Sequence, residues 1–316
     1  MSGSKSVVAL KILTAVEYIM IEAFLKYLQS ERHYSEHTVS AYRRDLYDFC
    51  RQLGVSPEQL NPQQIDEQDI KLWIVERMDG GLTARSMKRK LSALHSYYKF
   101  LLKTDSIKQD VTRRIITPKI TKPLPAFFKD KEMSDAEREI QILQDGADFV
   151  KARNNLIIEL LYQTGIRRAE ALGLKISDID TESMQIRVFG KRRKQRIIPI
   201  GGQLLDYINQ YLQLREQCFS EDQTDILLLS DKGKPMSNKQ ITQVVKLIMG
   251  EVSSLRKISP HVLRHTFATT MLNNGADINT IKQLLGHSSL AATQVYTHTT
   301  FEQIQSAYKN SHPRAI

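Results

Sequence analysis

Met184-Gln185-Ile186-Arg187-Val188-Phe189-Gly190-Lys191-Arg192-Arg193-Lys194-Gln195-Arg196-Ile197-Ile198-Pro199-Ile200 is the stretch where the chain leaves helical periodicity. Met184, Ile186 and Val188 alternate with Gln185 and Arg187, the period of a strand with one buried face. Gly190 to Gln195 is a charged turn. Arg196 to Ile200 returns as a second strand, and its Pro199, which has no N–H to donate, suits a sheet edge. The elements on either side have helical spacing, so the fold class expected is mainly α with a small antiparallel β-sheet.

Before the hairpin, Asn154 to Gln163 is an apolar helix and Arg168 to Leu174 a second one. Further back, Arg113 to Phe128 holds Pro118, Pro123 and Pro125 with Arg113, Arg114, Lys119 and Lys122 between them. Prolines block a continued helix, so residues 113–128 read as an extended basic linker. Residues 20–112 precede it as a four-helix module. Phe24, Leu25, Tyr27 and Leu28 form the first stripe, and Ser35 caps a helix carrying Tyr42, Leu46 and Phe49. Ile65 to Met78 is closed by Gly80-Gly81, and Thr83 caps the fourth helix, with Leu91, Leu94, Tyr98 and Leu101 along one side. Residues 1–19 read as a disordered leader, with Met20 an alternative start. They carry no signal-peptide cleavage pattern. Residues 129–316 form the second, larger module.

The 316 residues carry a formal charge of +10 and a sequence pI near 9.4. A basic surface of this size fits a polyanionic partner such as nucleic acid, and equally a solvated surface. Cys50 and Cys218 stand far apart, which argues against a disulfide scaffold and a zinc site and fits a reducing cytoplasm. No apolar run approaches the ~18 residues of a membrane span.

The candidate chemistry begins at Ser259-Pro260-His261-Val262-Leu263-Arg264-His265. Ser259 is a good N-cap and Pro260 suits the first helical position. His261 then lies in the first turn, where free N–H groups favour an anion, and Arg264 shares its face. Leu263, Phe267 and Met271 turn toward the core. Gly275 ends this helix, and Asp277 caps the next, whose apolar set is Ile278, Ile281, Leu284 and Leu285. Gly286 ends it, His287 follows, and Ser288 caps a short segment leading to Tyr296. Arg167 follows Thr164-Gly165-Ile166 at a helix junction, and Glu170 stands three residues on, where a carboxylate would fix the arginine. Lys191 starts the hairpin turn. Each feature alone also fits a bland role: a surface pair, a packed tyrosine, a solvated basic tip.

Together they resemble a known set. Thr-Gly-Ile-Arg (164–167), Gly-Lys (190–191), His-Val-Leu-Arg-His-Thr-Phe-Ala-Thr (261–269), Leu-Leu-Gly-His-Ser-Ser (284–289) and Thr-Gln-Val-Tyr-Thr-His (293–298) look like the signature segments of tyrosine recombinases, in the family's order and spacing. Ser35 to Leu46 and Thr83 to Leu102 resemble the family's core-DNA-binding domain. Tyr308 to Ala315, with His312-Pro313-Arg314, resembles the bacterial Xer-type branch. Two positions depart. Arg168 and Ala169 replace a small or aliphatic residue and Ser, and Lys191-Arg192-Arg193 replaces a Gly-Lys-Gly turn.

The resemblance implies a two-domain clamp around double-stranded DNA and a site-specific recombinase working through a 3′-phosphotyrosyl intermediate. Tyr296 would be the nucleophile, with Arg167, Lys191, His261, Arg264 and His287 as its catalytic partners. Arg167 and Arg264 suit the role because two guanidiniums can fork onto the oxygens of a phosphodiester. Arg43, Arg44, Arg85, Lys88, Arg89 and Lys90, near predicted helix starts, are the DNA-contact candidates. No metal and no cofactor are expected. The expected assembly is a homotetramer, or a heterotetramer with a paralogous recombinase, in the cytoplasm at the nucleoid, with a DNA translocase as activator. A terminal helix bearing Phe301, Ile304 and Tyr308 would dock on a neighbouring protomer. Chromosome-dimer resolution is the role expected first. A transposon integrase, a DNA invertase or a type IB topoisomerase would share the chemistry.

Overall fold

The computed structural model describes residues 20–119, 126–142, 148–190, 195–220, 224–286 and 298–315. The chain divides into two compact units, Met1–Pro123 and Leu124–Ile316. None of its described helices is long and apolar enough to cross a membrane.

In the first unit, helix α1 (20–30) is followed by α2 (Glu36–Gln52), α3 (Glu67–Asp79) and α4 (Ala84–Lys103). The local signals place the helix starts: the Ser35 hydroxyl accepts from the Thr38 N–H, and Thr83 accepts from Ser86. Each relieves one of the amide donors that a helix start leaves unpaired. Phe24, Phe49, Trp73, Leu91, Tyr97 and Tyr98 interlock as the core, with the Phe49 and Trp73 rings 4.8 Å apart. Arg113 and Arg114, read as extended linker, close a 3₁₀ turn (Val111–Arg114) instead. Asp110 holds that turn by accepting from the Thr112 N–H at 2.9 Å.

The second unit runs α5 (Asp130–Ile142), α6 (Phe149–Thr164), α7 (Arg168–Leu172), strands β1 (Ile179–Asp180), β2 (Gln185–Phe189) and β3 (Gln195–Pro199), then α8 (Gly202–Cys218), α9 (Asn238–Val252), α10 (Pro260–Asn273), α11 (Ile278–Leu285) and α12 (His298–Ser311). The sheet is antiparallel in the order β1-β2-β3. Pro199 lies opposite Gln185 on the edge strand β3, where its missing N–H costs no ladder bond. Helix α6 is buried nearly all round, its polar Asn155, Glu159 and Gln163 included, and α8 and α10 pack on it. Leu263, Phe267 and Met271 face the core from α10. Ile278, expected in the apolar set of α11, is 52% exposed, because it starts the helix ahead of the stripe formed by Ile281, Leu284 and Leu285.

Ile304 and Tyr308 on α12 are buried in the core of their own unit. His312 stacks on Tyr308 with ring centroids 5.3 Å apart. The physical reason lies in α6: Glu159 is fully buried, and Arg314 supplies the cation it needs. Arg314 also pairs with Glu137 at 3.0 Å, donates to the Met133 carbonyl at 2.9 Å and lies over the Tyr162 ring. A Cβ at Gly201 would come within 2.4 Å of the Arg314 carbonyl oxygen, so glycine makes room for the tail.

Candidate active site

The site is built where two helices stop. Gly165 ends α6 in the left-handed conformation (φ +59°), and a Cβ there would lie 2.5 Å from the Phe267 ring. The turn puts Arg167 at the N-cap of α7 with no acceptor on its side chain. Glu170 reaches back to accept from the Arg167 N–H at 2.8 Å. Gly286 ends α11 in the same way (φ +62°). The carbonyls left unpaired at these two ends carry the negative pole of each helix.

Three arginines fill that negative space. Arg264 donates to the Gly165 carbonyl at 2.5 Å and to the Leu285 carbonyl at 2.6 Å. Arg167 donates to Glu170 at 2.9 Å and to the Gly286 carbonyl at 3.0 Å. Arg196, from β3, donates to both Glu170 oxygens at 3.0 and 2.8 Å and to the Leu284 carbonyl at 2.7 Å. Among the described residues, Glu170 is the one carboxylate in the cluster, and it bonds Arg167 and Arg196 while Arg264 rests on carbonyls. The cluster therefore keeps an excess of positive charge that a bound anion would neutralise.

Titration follows from this crowding. Burial works to raise the Glu170 carboxyl, but Arg196 and then Arg167 override it and hold the group below the usual glutamate range. Burial, and after it Arg167 and Arg196, bring Arg264 down to about 10, still protonated at neutral pH. His261 stands exposed in the first turn of α10. Partial burial, then Arg168, Arg264, His265 and Arg167, hold its imidazole below the usual histidine range. It is neutral at pH 7 and can accept a proton. Of the sequence candidates, the structure thus brings Arg167 and Arg264 together with His261 close by. Lys191, His287 and Tyr296 lie outside the described residues. Ser259 occupies the N-cap of α10 without a side-chain capping bond.

Arg196 was not singled out in the sequence, although a signal exists. It alternates with Ile198 and Ile200 on the buried face of β3, where an arginine requires a partner. Arg168, one of the two departures from the family pattern, bonds the Thr242 hydroxyl at 2.7 Å and so ties α7 to α9.

The DNA-contact candidates separate into two groups. Lys90 pairs with Asp48 at 2.8 Å and Asp45 at 3.4 Å, with 12% of its side chain exposed, and Arg89 pairs with Asp45. Arg43 pairs with Glu22 at 2.7 Å. Arg44, Arg85 and Lys88 are exposed and have no ion pair among the described residues. Arg85 and Lys88, three apart, share one face of α4.

Residues 133–303 match the phage integrase family model, and residues 21–105 match the phage integrase N-terminal SAM-like domain. A tyrosine recombinase XerC of Listeria innocua serovar 6a is 40% identical over 294 residues, spanning 92% of this chain and 97% of its own. The chain belongs to the phage integrase family of tyrosine recombinases. Another relative of this recombinase, the tyrosine recombinase XerC of Bacillus subtilis strain 168, is 34% identical over 300 residues, covering 94% and 97%. Among solved structures, the XerH site-specific recombinase bound to its difH substrate before cleavage aligns with a TM-score of 0.66 at 25% identity, over 92% of this chain and 83% of that one. A lambda integrase(75–356) dimer bound to a COC′ core site shares the fold, with a TM-score of 0.63 at 18% identity over 88% and 98%.

Proposed function

We propose that this recombinase performs Xer-type site-specific recombination, cutting and rejoining DNA strands through a 3′-phosphotyrosyl link at Tyr296. The observation that carries the reading is the convergence of Arg167 and Arg264 on two helix ends with too little negative charge to neutralise the cluster. An arginine cluster held in place before substrate arrives is suited to the charge that builds on non-bridging phosphate oxygens during attack. The Tyr296 hydroxyl attacks phosphorus and passes its proton to His261. The P–O5′ bond breaks, and Lys191 supplies the proton that the leaving 5′-oxygen takes. His287 donates a third contact to the phosphate. The phosphotyrosyl ester conserves the bond, so the 5′-hydroxyl of another strand can attack it and restore the tyrosine.

Arg44, Arg85 and Lys88 suit phosphate or base-edge contacts outside the reacting centre. Four protomers acting on two duplexes, identical or shared with a paralogue, would complete an exchange at the nucleoid, with a DNA translocase as activator. The XerC names of the relatives support chromosome-dimer resolution as the role. The test begins by sequencing DNA held covalently by the protein in cells. Two differently labelled duplexes bearing that site are then incubated with the protein. Joining of label from one duplex to the other is expected. Nicking and resealing confined to each duplex would replace this reading with that of a type IB topoisomerase.

A further inference from the structure

Three consecutive carbonyls end α11, and each is taken by a different arginine: Leu284 by Arg196, Leu285 by Arg264 and Gly286 by Arg167. Two of these arginines are the proposed phosphate clamp. The third faces inward, with 5% of its side chain exposed, and spends its donors on protein. Its Nη1 and Nη2 grip Glu170, the carboxylate that holds Arg167 through both backbone and side chain. Its Nε holds the end of α11. The fit is close: a Cβ at Gly286 would lie 3.1 Å from Arg196 Nη1 and 3.3 Å from its Cδ.

We infer that Arg196 is a positioning residue for DNA cleavage, which sets the direction of the Arg167 guanidinium through Glu170 and fixes the α11 carbonyls on which Arg167 and Arg264 rest. This rests on the proposed recombinase reading. A lysine cannot reproduce the arrangement. It offers a point charge in place of a planar fork, and so cannot hold both carboxylate oxygens and a carbonyl in fixed directions. With Arg196 changed, Glu170 is left to Arg167 alone, and the clamp loses the partner that opposes its rotation. Displacement of a reacting group by about 1 Å can cost about 10²-fold in rate.

The test compares Arg196→Lys with wild type on two duplexes. One has an ordinary scissile phosphate. The other has a neutral methylphosphonate there, which lacks the charge that the clamp neutralises. Rates of adduct formation are measured on fully bound protein, so a loss of stability or affinity does not enter. On the phosphate duplex Arg196→Lys is expected to be about 10²-fold slower than wild type. On the methylphosphonate duplex the deficit should shrink to about tenfold or less. Glu170→Gln should show the same pattern, and the double variant should be no slower than the slower single one. An equal deficit on both duplexes would mean that Arg196 merely supports the fold. Wild-type rates on both would remove it from the site altogether. Arg167→Ala separates this proposal from the reading beneath it. If wild type forms no adduct, or Arg167→Ala cuts as fast as wild type, the clamp itself is wrong. If both controls behave and Arg196→Lys cuts normally, the positioning role alone falls.

Discussion

Gly165→Ala tests how tightly the core and the clamp share one turn. The residue sits at φ +59°, where a Cβ crowds the backbone at a cost of roughly 1–2 kcal/mol. The new methyl would also lie 2.5 Å from Phe267 Cδ1 and 3.0 Å from Leu285 Cδ2, both on buried side chains. Overpacking of that kind typically costs about 1–3 kcal/mol. The combined loss of about 2–5 kcal/mol belongs to the second unit. Trp73, the single tryptophan, is buried in the first. Urea unfolding followed by Trp73 fluorescence therefore reports the first unit, and far-ultraviolet ellipticity reports both. With a slope of about 2 kcal/mol/M, the ellipticity transition should move down by about 1–2.5 M. The Trp73 transition should stay in place. The Gly165 carbonyl accepts from Arg264, so adduct formation should slow as well. A stability change under about 0.5 kcal/mol, or a shift seen in Trp73 alone, would refute the reasoning.

Arg314→Ala leaves the fully buried Glu159 without its cation and should cost about 3–5 kcal/mol in urea unfolding; deleting residues 301–316 also strips Ile304 and Tyr308 from the core and should cost more. A deletion as stable as the full chain would show that the tail adds nothing to its own unit. For His261, the folded-state pKa is held below the free value of 6.5, so stability from this group is present above pH 6.5 and is lost as pH falls through the lower folded value. The same shift keeps the base neutral, so the acid limb of the cleavage profile should fall below pH 6.5 and disappear in His261→Gln. An acid limb above 6.5 in wild type would count against His261 as the base. Lys191→Ala should cleave slowly, and a bridging 5′-phosphorothiolate, which leaves without a proton, should largely restore it; rescue of Lys194→Ala in its place would move the acid along the hairpin.

The regular elements were legible because their signals are local. Alternation from Met184 to Val188, the Asp277 and Thr83 caps, and the left-handed stops at Gly165 and Gly286 each depend on a few neighbouring residues. The two-residue strand β1 was too short to show a period. What escaped depends on partners distant in the chain. Arg89 and Lys90 read as DNA-contact candidates until Asp45 and Asp48 appear beside them across two helices. Arg196 reads only as the start of the returning strand until Glu170 and Leu284 are seen to enclose it. The apolar stripe of α12 predicts burial, but it cannot say against which surface. Within this chain Ile304 and Tyr308 fill the core, and the Arg314 tail pairs with the fully buried Glu159.

The central claim is that Tyr296 takes the DNA 3′-phosphate. The most direct measurement incubates wild type and Tyr296→Phe with a nicked duplex from which the 5′-hydroxyl fragment diffuses away after cleavage. The trapped adduct is then digested, and the peptide carrying the nucleotide is sequenced by mass spectrometry. Wild type should yield one peptide, modified at Tyr296, and Tyr296→Phe should bind the duplex with unchanged affinity yet yield none. An adduct of undiminished yield in Tyr296→Phe, or one mapped to another residue such as Tyr308, would contradict the account.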